Sequence, residues 1–487
     1  MFAQKLKVIS MAVYFGKNYR LFTSICDCHF GREVITTTAE AINDNNILAE
    51  LARALYVHER NRMEIDYLDN YYRGDQPILY RRKRVRPEVN NRVVINLAQF
   101  IVETKTSETC GEPIQYVLRG TDKVKEDEIT QLNALMDGED KPYFDIELCR
   151  WRSICGTAYR YIGNKLDTER LLDESPFYLD VCDPRTTFVC YYQGGRIPAF
   201  GCQITKNAKN IEVFWLYTSA KWYKVIRGKI LDSGININGA IPIIEYPNNA
   251  RRLSDIEVTI TLTDEINKMA SDRSNGIEQF VSAWVKFVNC EIDEEEFAKM
   301  RQEGALVVKS NNGSENKADV DVMTSELNQE QTQISVNDLY EKLLVVQGMA
   351  NRQTTTGGDT GSAVQLRNGH YDAEKRAELA EPIFKRSERN ALRIVLNKLR
   401  IDKGFSLLPS DIEIKISRSK LDNMLTKAEV LQILLGCGID NARAIKSVGL
   451  FSDPEQVAAE SRKRMEILYP TTVSAENGEV NGSQQNG

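Results

Sequence analysis

No run of about 18 apolar residues occurs anywhere in this 487-residue chain, so no segment is expected to cross a membrane as a helix. Histidine is scarce: only His29, His58 and His370 are present. The phosphate loop Gly-x-x-x-x-Gly-Lys-Ser/Thr is missing, which argues against a P-loop motor ATPase, and no Gly-x-Gly-x-x-Gly follows a strand-like run. Nothing forms the strand-turn-helix elbow that exposes a nucleophilic serine. Positive charge is not in excess either, with 63 basic against 69 acidic residues and a net charge of −6. Such a chain is not a sequence-specific DNA reader by charge alone, although it could handle nucleic acid through a weak, sliding contact.

The ten cysteines lack framework spacing, and most sit in apolar runs, such as Cys155 in Ser-Ile-Cys-Gly and Cys190 in Phe-Val-Cys-Tyr. Reduced, buried thiols are the expectation. Cys26-x-Cys28-His29 could be half of a zinc site, but the spacing is tight for tetrahedral closure and no second Cys/His pair answers it. No metal or cofactor is expected. Lys5 and Lys7 ahead of Val8–Phe15 resemble a weak secretion signal, yet the apolar run is short and no cleavage site follows, so the chain reads as non-secretory.

What is present is enough chain for two or three domains, with an α+β, mainly helical pattern. Residues 1–34 read as an irregular leader. A helix is expected from about Ala39 to Tyr72, ended by Gly74 and Pro77, then a basic cluster at Arg81–Arg86 whose default is a solvated loop and whose alternative is a contact with backbone phosphates or a partner. Further helices are expected over Val94–Thr109, Glu128–Met136 and 144–155. From Ala158 to Tyr246 the character turns to short β-rich runs: Tyr159–Ile162, Phe177–Val181, Thr187–Tyr192, Ala199–Ile204, Glu212–Tyr217 and Lys221–Val225.

The stretch from Ser254 to Arg400 has a different design. Apolar residues from Ile266 to Val288 fit one face of a long helix over 254–289, although Val258, Ile260 and Leu262 alternate with threonines in strand fashion. An acidic insert follows, opening with Glu291, Asp293, Glu294, Glu295 and Glu296, and a hairpin is expected to pair Ala305–Lys309 with Val320–Met323. Without interleaved Asn and Gly the acidic run reads as a solvated face, not a calcium loop. A second helix is expected over Ser335–Met349. Then come Arg352 and the loop Thr354-Thr355-Thr356-Gly357-Gly358-Asp359-Thr360-Gly361, which lacks a lysine for phosphates, and a long helix over Ala363–Arg400 that Pro382 should kink. Ile412–Ile416 reads as a strand. The remainder is helical, with capping-box patterns at Thr426–Glu429 and Ser452–Glu455, and the tail from Thr471 is compositionally disordered. His58 and His370 fall on helix faces among charged neighbours, which suggests surface or interface positions.

Several local motifs occur in a collinear order. They are Tyr71-Tyr72-x-Gly74 with Pro77-Ile78-Leu79; Asn90-Asn91-Arg92-Val93-Val94-Ile95-Asn96 running on to Ile101-Val102-x-Thr104-Lys105; Gly111-x-Pro113-Ile114; Gly156-x-Ala158-Tyr159; Ile241-Pro242-Ile243-Ile244-Glu245-Tyr246 with Asn248-Asn249; Gly361-Ser362-x-Val364-x-Leu366; and Asp453-x-Glu455. In this order, over about residues 40–470, the chain resembles the tailed-bacteriophage portal proteins of the siphophage type. Gly361-Ser362-Ala363-Val364 departs from the small-Gly-x-Ala-Leu form expected there.

The resemblance implies a subunit of a homo-oligomeric ring, twelve-fold in the virion. Residues 35–253 would be the first part of the wing, 254–289 and 334–349 the stem helices, and 290–333 the clip. Residues 350–362 would be a tunnel loop, 363–417 the long wing helix and following strand, and 418–470 the crown, with 471–487 the tail. It also implies double-stranded DNA in the channel, held without sequence preference. The implied partners are the terminase large subunit at Glu291–Glu296, the major capsid and scaffolding proteins, and head-completion or adaptor proteins. The implied location is the capsid portal vertex, reached from host cytoplasm during assembly, with no membrane and no enzymatic activity. The rival readings are a soluble Cys-dependent hydrolase and an elongated adaptor without a channel.

Overall fold

The computed structural model describes residues 31–84, 87–120, 122–165, 175–281, 284–288, 319–323, 329–350, 370–416, 424–448 and 454–468. The α+β expectation holds as a mixed architecture, with helices and four sheets among the described residues.

Helix α1, Ile47–Tyr72, buries Ile47, Leu51, Ala54, His58, Asn61, Ile65 and Leu68. The alternating spacing of four and three residues keeps one face inward over the whole rod. Its start lies eight residues later than expected from Ala39. Asn43 and Asn46 bind each other's backbone, with Asn46 Oδ1 accepting from Asn43 N–H and Asn43 Oδ1 from the N–H groups of Asn45 and Asn46, and these local bonds compete with a helix. The N-terminal half of α1 packs on a six-stranded sheet, ordered β1-β5-β6-β7-β8-β9, where Ile35, Phe188, Phe200, Leu216 and Val225 complete a core. Its strands are β1 Thr36–Thr37, β5 Thr187–Tyr192, β6 Pro198–Lys206, β7 Glu212–Tyr217, β8 Lys221–Ile226 and β9 Lys229–Ile235. All but the parallel β1–β5 pair are antiparallel.

Residues 31–34 belong to this body, not to a leader. Arg32 is 3% exposed; its backbone N–H donates to Arg252 O and its guanidinium pairs with Glu64 and Glu257.

Helix α2, Leu97–Cys110, is capped by Asn96, whose Oδ1 accepts from Gln99 N–H. It leads to β2, Gln115–Leu118, then α3, Lys123–Gly138, and α4, Lys141–Cys155. Gly156 ends α4 at a φ of +78°, and a Cβ there would sit 1.9 Å from Arg252 O, so both conformation and space require glycine. The chain turns directly into β3, Thr157–Asn164, which lies between β4, Phe177–Cys182, and β10, Ile243–Pro247.

Helix α5, Ile260–Val281, leaves this body after a 3-10 turn at Glu257–Thr259. The threonine alternation at its start is overruled by helix. The long helix nevertheless stops short of the expected 289, because Trp284–Val288 forms strand β11 and pairs antiparallel with β12, Asp319–Met323. Val320–Met323 is therefore a strand as read, but with a different partner; Ala305–Lys309 lies outside the described residues. Helix α6, Gln329–Gln347, begins six residues earlier than expected and returns along α5.

Helix α7, His370–Lys403, continues through Pro382 as one 34-residue helix. Phe384, Ala391, Leu392, Val395 and Leu399 seat it in the largest core, which α3 and α4 share, against α2, β3 and β10. Strand β13, Ile412–Lys415, then pairs with the distant β2. Helices α8, Met424–Gly436, α9, Asn441–Val448, and α10, Pro454–Leu468, complete the described chain. Thr426 lies inside α8, so it does not cap it, whereas Pro454 opens α10 at the position that tolerates proline.

Candidate functional site

Among the described residues, the helix pair α5–α6 and its small sheet form an excursion that leaves the body and returns to the same place. Leu97 and Ile101 of α2, Ile266 of α5, and Leu343, Leu344 and Met349 at the end of α6 share a buried cluster at its base. Gln347 Nε2 donates to Asp255 O at 2.6 Å and to Thr259 Oγ1 at 2.9 Å, which closes the excursion where it began. Higher up, an Arg273–Gln333 hydrogen bond ties α5 to α6.

A polar ladder fixes α5 to the body. Asn267, Ser271 and Asn275 recur every four residues on one buried face. Asn267 Oδ1 accepts from Ile95 N–H at 2.7 Å, Ser271 Oγ from Val93 N–H at 2.9 Å, and Asn275 Oδ1 from Asn91 N–H at 2.6 Å. The geometry follows from elementary repeats. Four helical residues rise about 6.0 Å and two extended residues about 6.7 Å, so each turn of α5 meets the next available N–H of the segment. Asn267 Nδ2 also donates to Gln76 Oε1, and Asn91 Nδ2 to Glu278 Oε2. This segment is the Asn90–Asn96 motif. The ladder was not anticipated, although buried-face polar residues at i, i+4 and i+8 are a visible signal.

The exposed sides of the excursion are acidic. α5 and α6 together carry seven acidic residues and three basic ones. Asp264 faces Tyr71, whose hydroxyl donates to it at 2.9 Å, and burial pushes its carboxyl up to about 6. The basic cluster at 81–86 is not simply solvated. Arg81 pairs with Asp272 of α5 at 2.7 Å, and Lys83 reaches the same carboxylate at 4.0 Å. The favoured candidates of the sequence, Glu291–Glu296, Arg352 and Thr354–Gly361, lie outside the described residues.

Midway along α7 sits a second constellation. Glu388, 1% exposed, accepts from Tyr116 and Tyr246 hydroxyls and pairs with Lys141 at 3.2 Å and Arg160 at 3.3 Å. Asp145 pairs with the same two cations. Burial alone would raise the Glu388 carboxyl, but the two cations and the two hydroxyls outweigh it and hold it low. This balanced cage of two anions and two cations is enclosed, so it can hold elements together but offers no surface to a substrate.

The buried thiols do not favour cysteine chemistry, while Cys437 is free and exposed. Burial pushes the thiols of Cys182 and Cys190 up to about 12, and those of Cys155 and Cys202 further, the opposite of an activated nucleophile. Contrary to the expectation of reduced thiols throughout, Cys110 of α2 and Cys149 of α4 are joined in a disulfide with Cα atoms 6.8 Å apart. His58 is not at the surface. It is 2% exposed, stacks near Phe188, sits with Nε2 3.1 Å from Arg185 O, and is pushed down by burial to about 4, so it is neutral. No group of three metal-ligating side chains occurs among the described residues, and no described helix is long and apolar enough to cross a membrane.

The family model for phage portal proteins, SPP1 Gp6-like, matches residues 51–466, well over half of the chain. No curated protein is significantly similar to it. Among solved structures, a chain in the neck of an empty GTA particle, computed with C6 symmetry, is 11% identical over 72% of this chain and 90% of that one, with a TM-score of 0.42. A chain in the neck of a native GTA particle, computed with C12 symmetry, is 11% identical over 73% and 90%, with a TM-score of 0.43.

Proposed function

We propose, from the premise that this chain belongs to the phage portal protein family, SPP1 Gp6-like, that it forms the ring at one capsid vertex through which double-stranded DNA is packaged and ejected. The family match over residues 51–466 is the observation that carries this reading. The out-and-back excursion supports it. α5 and α6 serve as the stem, the segment between them with β11 and β12 as the clip, 350–362 as the tunnel loop, and the helices after 418 as the crown. The body together with α7 serves as the wing.

The physics of the stem suits passage better than capture. DNA carries a dense line of negative charge, so a wall that offered many cations would hold it. An excess of acidic side chains on α5 and α6, repeated around a ring, keeps phosphates from settling. A head-to-tail contact closes such a ring without a self-complementary patch. Motor energy comes from a separate ATPase, the terminase large subunit, docked at Glu291–Glu296. The major capsid, scaffolding and head-completion proteins bind elsewhere on the ring, which resides at the virion vertex.

Axial views of negatively stained particles, with native mass spectrometry for the subunit count, test the ring directly. A compact monomer in both would overturn the proposal. Deletion of Thr354–Gly361 should leave rings intact while packaging fails, and loss of the rings themselves would reassign the loop to a structural role. Reversal of Glu294 and Glu295 should weaken terminase docking in a pull-down, and unchanged docking would remove the clip assignment.

A further inference from the structure

Helix α7 presents a face that the channel reading leaves without a role. Its inner side is fully engaged by the core. On the outer side Arg386, Arg389, Asn390, Arg393 and Arg400 are exposed and Asn397 is half-buried. The spacing places them in one stripe along about 21 Å of helix. None of the four arginines has a carboxylate partner among the described residues. Arg393 donates to Asn390 Oδ1 at 3.1 Å and Arg400 to Leu407 O at 3.5 Å, both neutral acceptors. Neighbouring cations behave differently: Lys385 pairs with Glu381, and Lys398 is buried. In a chain with more acids than bases, four uncompensated guanidinium groups on one helix face stand out.

We infer that this face binds the phosphate backbone of nucleic acid, independently of sequence and at a place distinct from residues 352–361. Arginine presents a fork that grips phosphate oxygens in pairs, and asparagine amides are neutral donors to the same oxygens. A protein partner would also be attracted by the charge, but a stable protein interface needs an apolar centre. The exposed apolar side chains of α7, Leu379 and Ile401, stand outside the stripe at either end, and none lies between Arg386 and Arg400. The surface is therefore all cation and amide, the composition of a backbone-phosphate contact.

The test uses the full chain and a short scrambled duplex in a fluorescence anisotropy titration over a range of salt. Wild-type protein should bind with a log–log salt slope of about −3 to −4, since each phosphate contacted contributes about −0.9. The triple variant Arg386→Gln, Arg389→Gln, Arg393→Gln should flatten the slope by about 2–3 and weaken binding at least tenfold at about 50 mM salt. A charge-matched variant of exposed lysines on the six-stranded sheet, Lys206→Gln, Lys209→Gln, Lys229→Gln, should leave both unchanged. Equal loss in the two variants, no loss in the arginine variant, or no binding by wild type overturns the inference. So does tighter binding of poly-glutamate than of DNA, which would reassign the face to an acidic protein. Counting subunits by native mass in the same samples separates this result from the ring, because failure to assemble leaves the binding measurement intact.

Discussion

Helix α7 is held to the body by buried charge, whereas helix α5 is held by neutral amides and hydroxyls. Glu388 gathers Lys141, Arg160, Tyr116 and Tyr246 at a single point, and Lys398, about 15 Å further along the helix, donates from its ammonium to Gly163 O at 2.6 Å. Along α5 charged contacts lie off the buried face, at Asp264 with Tyr71, Asp272 with Arg81 and Lys83, and Glu278 with Asn91. On the buried face itself the load is spread over Asn267, Ser271 and Asn275 across two turns. Concentrated charge is all-or-none, because removing one member strands the others in a medium that cannot solvate them. A distributed neutral ladder can lose one rung and keep the rest. Helix α7 is thus clamped at a point and helix α5 zipped along a line.

The sharpest way to break this contrast is Glu388→Ala. It leaves Lys141 and Arg160 with only Asp145 to answer two buried cations, and the expected loss is about 3–5 kcal/mol in urea denaturation. A loss below about 1 kcal/mol would mean that water reaches the cage, and the idea of a point clamp would fail.

Parts of this contrast were legible in the residues and parts were not. Strands Thr187–Tyr192 and Glu212–Tyr217 were read to the residue, because alternation and flanking turns agreed. Trp284–Val288 was misread as helix. Trp284 and Val288 continue a helical stripe at i and i+4, while Trp284, Lys286 and Val288 also share a strand face, and only the partner at Asp319–Met323 decides between the two periods. His58 was judged by its charged neighbours, although its place in the four-three repeat of α1 marks it as core. The disulfide joins residues 39 apart and depends on how α2 meets α4, which no local pattern encodes. The Glu388 cage draws on β2, α4, β3, β10 and α7, so its members were invisible as a set. Of the site, the two helices of the excursion were readable, the acidic run Glu291–Glu296 lies outside the described residues, and the ladder that positions α5 needed the extended segment to be seen beside it.

Lys398 sharpens the comparison through pH. Burial pushes its amine from 10.5 down to about 7, so between those values the unfolded chain binds more protons than the folded one. Stability should therefore rise with pH across that window, by up to about 1.4 kcal/mol per unit, and level off below about 7. Lys398→Met should abolish this slope in denaturation curves taken from pH 7 to about 9, leaving a gain of about 2–3 kcal/mol at the acidic end relative to the alkaline end. The same slope persisting in Lys398→Met would place the titration elsewhere and remove pH sensitivity from the α7 anchor.

The smallest expected effect is the most local. Asn267→Ala removes one rung, leaving Ile95 N–H and the Gln76 side chain without their partner, and should cost about 1–2 kcal/mol with no dependence on pH between 6 and about 9. Hydrogen exchange gives the discriminating readout. The Ile95 amide should exchange much faster, those of Val93 and Asn91 only slightly, and the amides of α7 not at all, because the ladder shares its load rung by rung. If all three amides accelerate together, the ladder opens as one cooperative unit, and α5 is clamped in the same all-or-none manner as α7.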